Sequence, residues 1–255
     1  MAVFVSGLDE TAGKTHRDTF LLAGFVAPEH DWSRFFAPAW QERVLDGPPA
    51  IPYLHMTEIR SPKWREKYGL SKLEADDRID TAIALIDTMQ SLYPIGIRAN
   101  AGFIRDRFAE VRVVRSFGKP RGFEPDYICF LSYAWIALNY INKHHPEADK
   151  VDFVVERNGD VTKHIQDFHS TLSQALKAFG KPSLARLVGD LIPGGKDRVP
   201  LQAADVLCWH TARAQNPETM DEADRRRYSL LAHRKGTREQ FTDEQIAQMA
   251  DALSV

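Results

Sequence analysis

Cysteine is scarce in this chain, and no long apolar run is present. The two cysteines, Cys129 and Cys208, have neither the spacing of a zinc site nor the number that a disulfide framework needs. We interpret them as thiols in apolar helical contexts, as suits a reducing cytoplasm. No apolar stretch reaches the ~18 residues of a membrane span, and no charged segment followed by an apolar one resembles a secretion signal. We therefore expect a cytoplasmic protein with no membrane partner.

The chain also lacks an excess of positive charge. Its 33 Lys and Arg against 35 Asp and Glu leave a net charge of -2. Binding of nucleic acid through bulk charge is thereby disfavoured, and any phosphate contact must be local. Nucleotide-binding and serine-hydrolase motifs are missing as well, since Gly194-Gly195-Lys196 lacks the spacing and hydroxyl of a phosphate-binding loop. Metal-assisted hydrolysis is the enzymatic chemistry that remains.

What the 255 residues contain is the pattern of one α/β domain, predicted over 1–215, with a helical extension over 216–255. Apolar runs predict five strands, over 2–8, 19–27, 94–100, 151–156 and 184–192. Helical periodicity predicts helices over 28–45, 72–91, 123–144 and 161–179, a helix from Val199, and a last amphipathic helix. Residues of about 47–75 are interpreted as an insertion near the site. The triplet Arg225-Arg226-Arg227, flanked by acids, is interpreted as a surface feature.

One acid stands inside an apolar helix. The segment 201–207 reads Leu-Gln-Ala-Ala-Asp-Val-Leu after Val199-Pro200, which places Asp205 in the first turns of a packed helix. An unpaired buried carboxylate costs several kcal/mol, roughly, so Asp205 requires a partner. That partner is either a cation or the free backbone amides of a helix N-terminus.

Two predicted strands also end in acids. The first is followed by Asp9-Glu10, and the fourth ends at Glu156, shortly before Asp160. Side chains at strand ends gather at one edge of an α/β sheet, so Asp9, Glu156 and Asp205 are expected to meet there. The alternatives are a solvated turn for Asp9, a surface ion pair for Glu156, and an ordinary turn for Asp160.

These segments resemble a known family. The N-terminal strand ending in Asp-Glu-Thr, the strand over 20–26, the central strand followed by Gly-Asp, and the late Pro-Leu-Gln-Ala-Ala-Asp are similar to the family catalogued as domain of unknown function 3800. The resemblance covers residues 2 to about 214. It implies a ribonuclease H-like fold, with a mixed five-stranded sheet and helices on both faces. This chain has Thr11-Ala12 where the family continues Ser-Gly, and Glu156 where relatives carry aspartate.

By this resemblance Asp9, Glu156 and Asp205 are expected to bind Mg²⁺ or Mn²⁺, because hard cations prefer oxygen ligands. In a two-metal mechanism such ions activate water and stabilise the leaving oxygen of a phosphodiester. Glu10 and His55 are further catalytic candidates, and His55 shares a helical face with Glu58 if a helical turn forms. The second-tier candidates are Glu58, Asp160 and Lys163. His55 is otherwise an ordinary loop histidine.

A local basic stretch is a candidate nucleic-acid surface. Seven cations and three interleaved phenylalanines fall between residues 98 and 121, against two acids. The cations are Arg98, Arg105, Arg107, Arg112, Arg115, Lys119 and Arg121. A solvated helix face followed by a loop explains the same pattern.

Two functions follow as hypotheses. The first is a divalent-metal-dependent nuclease whose substrate is DNA or RNA. The second is a catalytically inactive module of the same fold that binds nucleic acid or protein. Metal binding discriminates between them, because only the first requires it.

Overall fold

The protein is described here by a computed structural model, in which residues 2–12, 19–108, 125–157 and 160–253 are described. These residues form an α/β fold with a mixed sheet of six strands. None of the helices in the described ranges combines the length and apolar character needed to cross a bilayer.

The strands of this sheet are β1 (Ala2–Ala12), β2 (Thr19–Pro28), β3 (Tyr93–Asn100), β4 (Ala148–Glu156), β5 (Val188–Gly194) and β6 (Thr237–Gln240). Their order in the sheet is β5-β4-β1-β2-β3-β6. The sheet is mixed because β2 runs antiparallel to both of its neighbours, β1 and β3, whereas the pairs β1 with β4, β4 with β5 and β3 with β6 are parallel.

The helices connect these strands and cover both faces of the sheet. They are α1 (Glu29–Asp31), α2 (Ala37–Trp40), α3 (Met56–Ile59), α4 (Pro62–Tyr68), α5 (Lys72–Thr88), α6 (Ala101–Phe108), α7 (Pro125–His144), α8 (Asp160–Ala178), α9 (Pro182–Ala185), α10 (Val199–Arg213), α11 (Glu222–His233) and α12 (Asp243–Leu253). Two π-helical turns, Trp32–Phe36 and Gln41–Leu45, continue α1 and α2, so residues 29–45 are one helical stretch, as predicted.

Each face of the sheet has its own hydrophobic core. Helices α6 and α7, with α8, pack on the face that presents Phe20 and Leu22 of β2. The helical stretch 29–45, α5 and α10 pack on the opposite face, against Leu21 and Ala23. This alternation follows from the two-residue period of a strand, and it puts the helices on both faces, as expected. The two cysteines are buried and unpaired.

The prediction of five strands is wrong, because the C-terminal region supplies a sixth. Residues 216–255 were expected to be helical, but β6 pairs with β3 through Ile95 and Thr237. A four-residue edge strand of sequence Thr-Arg-Glu-Gln is too short and too polar to show strand periodicity. The fifth strand is also displaced, since it begins at Val188 and the preceding Pro182–Ala185 is helical.

The first strand is longer than predicted, and this separates the two N-terminal acids. β1 extends to Ala12, so Asp9 and Glu10 lie within the strand and not in a solvated turn. Asp9 pairs with Ala23 and Glu10 with Leu22, residues that belong to opposite cores. The two side chains therefore leave the sheet on opposite faces, and only Asp9 faces α10.

The arginine triplet is not a simple surface feature. Arg227 is 1% exposed, and its guanidinium bonds the carboxylates of Asp80 at 2.7 Å and Asp76 at 3.1 Å, both on α5. Asp224, also buried, accepts from Arg60 at 2.5 Å. This buried network joins α11 to α5. The sequence was compatible with this network, because Asp76 and Asp80 are four residues apart and Asp224 and Arg227 are three apart, spacings that put each pair on one helix face. Exclusion of water from the network, however, depends on the packing of α11 on α5.

Replacing Arg227 with Met should lower the free energy of unfolding by roughly 3 kcal/mol, because partly desolvated carboxylates lose their counter-charge. The matched control is Arg226→Met, since the Arg226 side chain is 66% exposed and bonds the same Asp80 at 3.2 Å. That exposed pair should contribute less than about 1 kcal/mol. Urea unfolding of both variants measures the difference, and equal effects would contradict a buried network.

Candidate functional site

Parallel pairing of β1 and β4 brings Asp9 and Glu156 side by side. The last paired residues are Gly7 and Val154, and each acid lies two positions further along its own strand. A step of two keeps a side chain on the same face, and adjacent strands are about 4.8 Å apart. Asp9 and Glu156 therefore lie on the α10 face, at the edge of the sheet where β1, β4 and β5 end.

Close packing of α10 on β1 adds Asp205. The N-terminal turn of α10 lies so near the strand that a Cβ atom at Gly7 would clash with the Pro200 carbonyl group. Glycine is the one residue that permits this approach. The helix then runs along β1, and Asp205, six residues beyond Val199, reaches Asp9. The thiol of Cys208, one turn further, donates to the Asp9 carbonyl oxygen at 3.5 Å.

Asp205 does not cap its own helix. It is 8% exposed, and its Oδ2 accepts the backbone N–H of Met56, the first residue of α3, at 2.5 Å. One interpretation of the sequence assigned to Asp205 the free backbone amides of a helix N-terminus as its partner. The amide that it binds does lie at a helix N-terminus, but that helix is α3 and not α10. His55 precedes α3, and its Nε2 lies 4.0 Å from Asp205 Oδ1. His55 therefore belongs to the site.

The electrostatics of Asp9 and Asp205 are those of a crowded acid pair. Burial raises the pKa of Asp9 well above its ordinary value, and the charges of neighbouring acids, Asp205 first, raise it further. Burial also raises the pKa of Asp205, while His55 and hydrogen bonds from Met56 and Asp9 act against this. A hydrogen bond between two carboxyl groups requires one proton. A proton or a cation between the two carboxyl groups would relieve their repulsion.

The acid pair lines a small cavity of about 20 Å³. That volume accommodates about one water-sized particle, since a single water needs roughly 10–15 Å³. The lining residues are Asp9, Leu54, His55, Glu156, Lys196, Leu201, Gln202 and Asp205. The structure thus brings together the three acids that were predicted to meet, together with His55.

Gln202 is a site residue that the sequence interpretation missed. Its Oε1 accepts from Trp40 Nε1 at 2.8 Å and from the Leu54 amide at 2.9 Å, so two donors fix the orientation of the side-chain amide. Gln202 is 2% exposed, and its Nε2 has no hydrogen-bond partner within the described part of the chain. A buried donor without an acceptor is unfavourable, which points to a ligand oxygen in the cavity. The signal was a polar residue three positions before Asp205 in an apolar run.

Lys196 is the second missed residue. It follows β5, whose Gly194 pairs with Glu156, so the same sheet edge delivers it. Its ammonium bonds Glu58 Oε1 at 2.7 Å, and hydrogen bonds from Lys196 and Tyr53 lower the pKa of Glu58 although burial opposes them. Glu58 therefore positions Lys196 and does not itself line the cavity. The Gly-Gly-Lys sequence was the available signal.

Glu10 forms a second acidic group on the other face of β1. Burial, then the charges of Glu156 and Asp126, raise the pKa of Glu10 to about 7. Asp126 is a 3% exposed residue in the first turn of α7. A carboxyl group of this pKa can hold or release a proton near neutral pH.

None of the remaining candidates is among the described residues that line the cavity. Lys163 is exposed on α8, and the side chain of Asp160, at the start of α8, lies outside the described residues. Of the basic stretch, Arg105 and Arg107 are on α6, and Arg98 lines a larger cavity of about 280 Å³ between α10 and β3. Outside the described residues lie Arg112, Arg115, Lys119 and Arg121. A continuous basic surface is therefore not seen in the described part.

A preformed metal cage is absent from residues 2–12, 19–108, 125–157 and 160–253. No group of three or more His, Cys, Asp or Glu side chains in these ranges could hold a metal ion as it stands. Mg²⁺ is nevertheless commonly held by one or two carboxylates and several waters. The Asp9–Asp205 pair and the volume of the cavity are compatible with one such ion.

Comparisons with known proteins leave the family prediction untested. No model of a known protein family matches the chain, and no curated protein matches it. The family resemblance therefore stays a prediction, and function has to be inferred from the geometry of the site.

The raised pKa of Glu10 predicts a pH-dependent stability. Between the ordinary pKa of 4.5 and about 7 the folded protein binds more protons than the unfolded chain. The free energy of unfolding should therefore fall as pH rises through this window. Glu10→Gln should remove this contribution, so the stability gained over wild type should be larger at pH ~8 than at pH ~4.5.

Urea unfolding in EDTA at both pH values measures this gain. The control is Glu147→Gln, since the Glu147 side chain is 64% exposed and precedes β4 at the opposite sheet edge. A Glu10→Gln gain that is independent of pH would show that Glu10 is not crowded by other acids.

Proposed function

We propose that the chain is a divalent-metal-dependent nuclease that hydrolyses phosphodiester bonds at the cavity between β1, β4 and α10. One observation carries the proposal. Asp9, Glu156 and Asp205 line one small cavity, where burial and then the charges of Asp205 and Glu156 raise the pKa of Asp9. A fold that gathers like charges in this way is stabilised by a cation.

The ribonuclease H-like assignment is part of the proposal. Strands β1 to β5 form a mixed sheet with helices on both faces, which supports the expectation from the resemblance. The three acids, Asp9, Glu156 and Asp205, come from β1, β4 and α10, and these are segments whose sequences carry the family resemblance. β6 and the C-terminal helices are then additions to this fold.

Asp9 and Asp205 would hold Mg²⁺ or Mn²⁺, with Glu156 as a further ligand. The bound metal would supply Lewis-acid stabilisation of charge on a phosphate oxygen and lower the pKa of water. A cavity for one ion favours a single resident metal, and the two-metal mechanism then requires that a second ion enters with the substrate.

The other lining residues have roles that need no metal. The Lys196 ammonium neutralises a phosphate oxygen at the cavity, and the Gln202 amide donates to an oxygen that enters it. His55, beside Asp205, can accept a proton from water when neutral or donate one to the leaving oxygen when protonated. In the reaction a water oxygen bonds to phosphorus and gives a proton to His55, the bond between phosphorus and the leaving oxygen breaks, and His55 passes that proton to the leaving oxygen.

The second candidate is an inactive module with the same fold. The observation that favours it is the lack of a ready three-ligand group in the described ranges. Such a module would gain no stability from Mg²⁺ or Mn²⁺.

Asp205→Asn is the decisive variant. Without metal it should be more stable than wild type, because a crowded charge is removed. Wild type should gain about 2.7 kcal/mol of stability at a metal concentration of 100 times Kd, and the variant should gain almost nothing. Thermal shift with Mg²⁺ and Mn²⁺ measures both effects, and cleavage of labelled DNA and RNA should be lost in the variant.

Asp190→Asn is the matched control, because this acid on β5 is 73% exposed and bonds Lys150. The control should keep the metal response and the cleavage. A wild-type protein that neither gains stability with metal nor cleaves any substrate would reject the nuclease and leave the inactive module.

A further inference from the structure

Three aromatic side chains form a ledge next to the cavity. Tyr53, Trp64 and Tyr68, here called the aromatic ledge, are each half-buried. The ring centroids of Tyr53 and Trp64 are 6.2 Å apart, and those of Trp64 and Tyr68 are 4.5 Å apart. Trp64 and Tyr68 share a face of α4 because they are four residues apart. The ledge is therefore a continuous aromatic surface.

Lys196 connects the ledge to the cavity. Its ammonium lies 5.8 Å from the centre of the Tyr53 ring, and the same side chain lines the cavity with Asp9 and Asp205. At the far end of the ledge the Lys67 ammonium lies 4.9 Å from the Tyr68 ring. Cations thus stand at both ends of the aromatic row, and one end is at the candidate site.

Trp64 and Tyr68 pack against the core on the α10 face, but both side chains stay partly exposed. The tryptophans of the neighbouring helical stretch, Trp32 and Trp40, are 3% and 0% exposed and bond partners within the fold. The ledge instead keeps aromatic surface at the solvent boundary beside lysines. A planar, apolar group with a nearby negative charge complements such a surface, which is the chemistry of a nucleobase and its phosphate.

The geometry points to single-stranded nucleic acid as the ligand of this surface: we infer that an unpaired base stacks on the aromatic ledge while the adjoining backbone phosphate lies at Lys196, beside the acid cavity. A duplex keeps its bases stacked inside and cannot offer that face. The inference rests on the proposed function for what happens at the cavity, and it names the substrate class, DNA or RNA with an unpaired base.

Binding is tested with the full chain in EDTA, where metal-dependent cleavage does not interfere. Fluorescence anisotropy is measured with a labelled single-stranded DNA oligonucleotide, its RNA counterpart and a DNA duplex of equal length. Trp64→Ala should weaken single-strand binding roughly 5- to 100-fold, the range for loss of one base stacked on an aromatic ring. Trp64→Phe should keep most of the affinity, because it retains an aromatic face. The DNA and RNA arms show which backbone is preferred.

The matched control is Trp135→Ala. Trp135 on α7 is 37% exposed and lies 5.9 Å beneath the Lys181 ammonium, but it is on the opposite face of the sheet. Its loss should leave binding unchanged. Equal binding by Trp64→Ala and wild type, or equal weakening by the two alanine variants, overturns the inference. Equal weakening of duplex and single-strand binding overturns it too.

A second route does not depend on the folding of Trp64→Ala. Tyr53→Ala should weaken single-strand binding, and Tyr53→Phe should not. Irradiation of the wild-type complex with a bromouracil-substituted oligonucleotide should cross-link a peptide that contains Tyr53 or Trp64. Cross-links confined to other peptides overturn the inference.

The two proposals fail in different ways. If wild type cleaves with metal, and Trp64→Ala binds single strands and cleaves as wild type does, the inference on the ledge is rejected and the nuclease proposal stands. Trp64-dependent binding of single strands without any metal response keeps the ledge and rejects the nuclease.

Discussion

The approach of α10 to β1 is the contact on which the site depends. Glycine at position 7 lets the Pro200 turn lie against the strand, and from there the helix places Asp205 next to Asp9. Two carboxyl groups in contact repel each other unless a proton or a cation lies between them. Packing of apolar surface along the rest of α10 holds them there, since Ala203, Val206 and Leu207 are buried in the core beneath.

The segment between the helical stretch 29–45 and α5 completes the site. Leu54 and Met56 donate backbone amides to Gln202 and Asp205, so the loop before α3 is tied to α10 by the same two polar residues that line the cavity. This arrangement leaves Gln202 Nε2 as an available donor. It also orients the aromatic ledge, because α4 follows α3 after a short turn. Gln202 and Asp205 therefore both hold the fold together and line the candidate site.

The location of the acids could be predicted because it depends on local patterns. An acid that follows an apolar strand, or stands within an apolar helix, is conspicuous, and the rule that strand ends gather at one sheet edge then groups Asp9, Glu156 and Asp205. Gln202 and Lys196 were not found, because their roles depend on partners more than a hundred residues away. Arg227 was misjudged for the same reason. Its burial depends on α5, which supplies Asp76 and Asp80.

The sequence by itself determined the α/β class, most helices and strands, and the acids of the site, because periodicity and isolated charges are local properties. The tertiary structure alone decided that Asp9 and Glu10 face opposite sides, that a polar four-residue segment becomes a sixth strand, and that Lys196 stands between the cavity and the aromatic ledge. The physical reason is that the length of β1, pairing at a sheet edge, and the desolvation of a charge depend on residues distant in the chain.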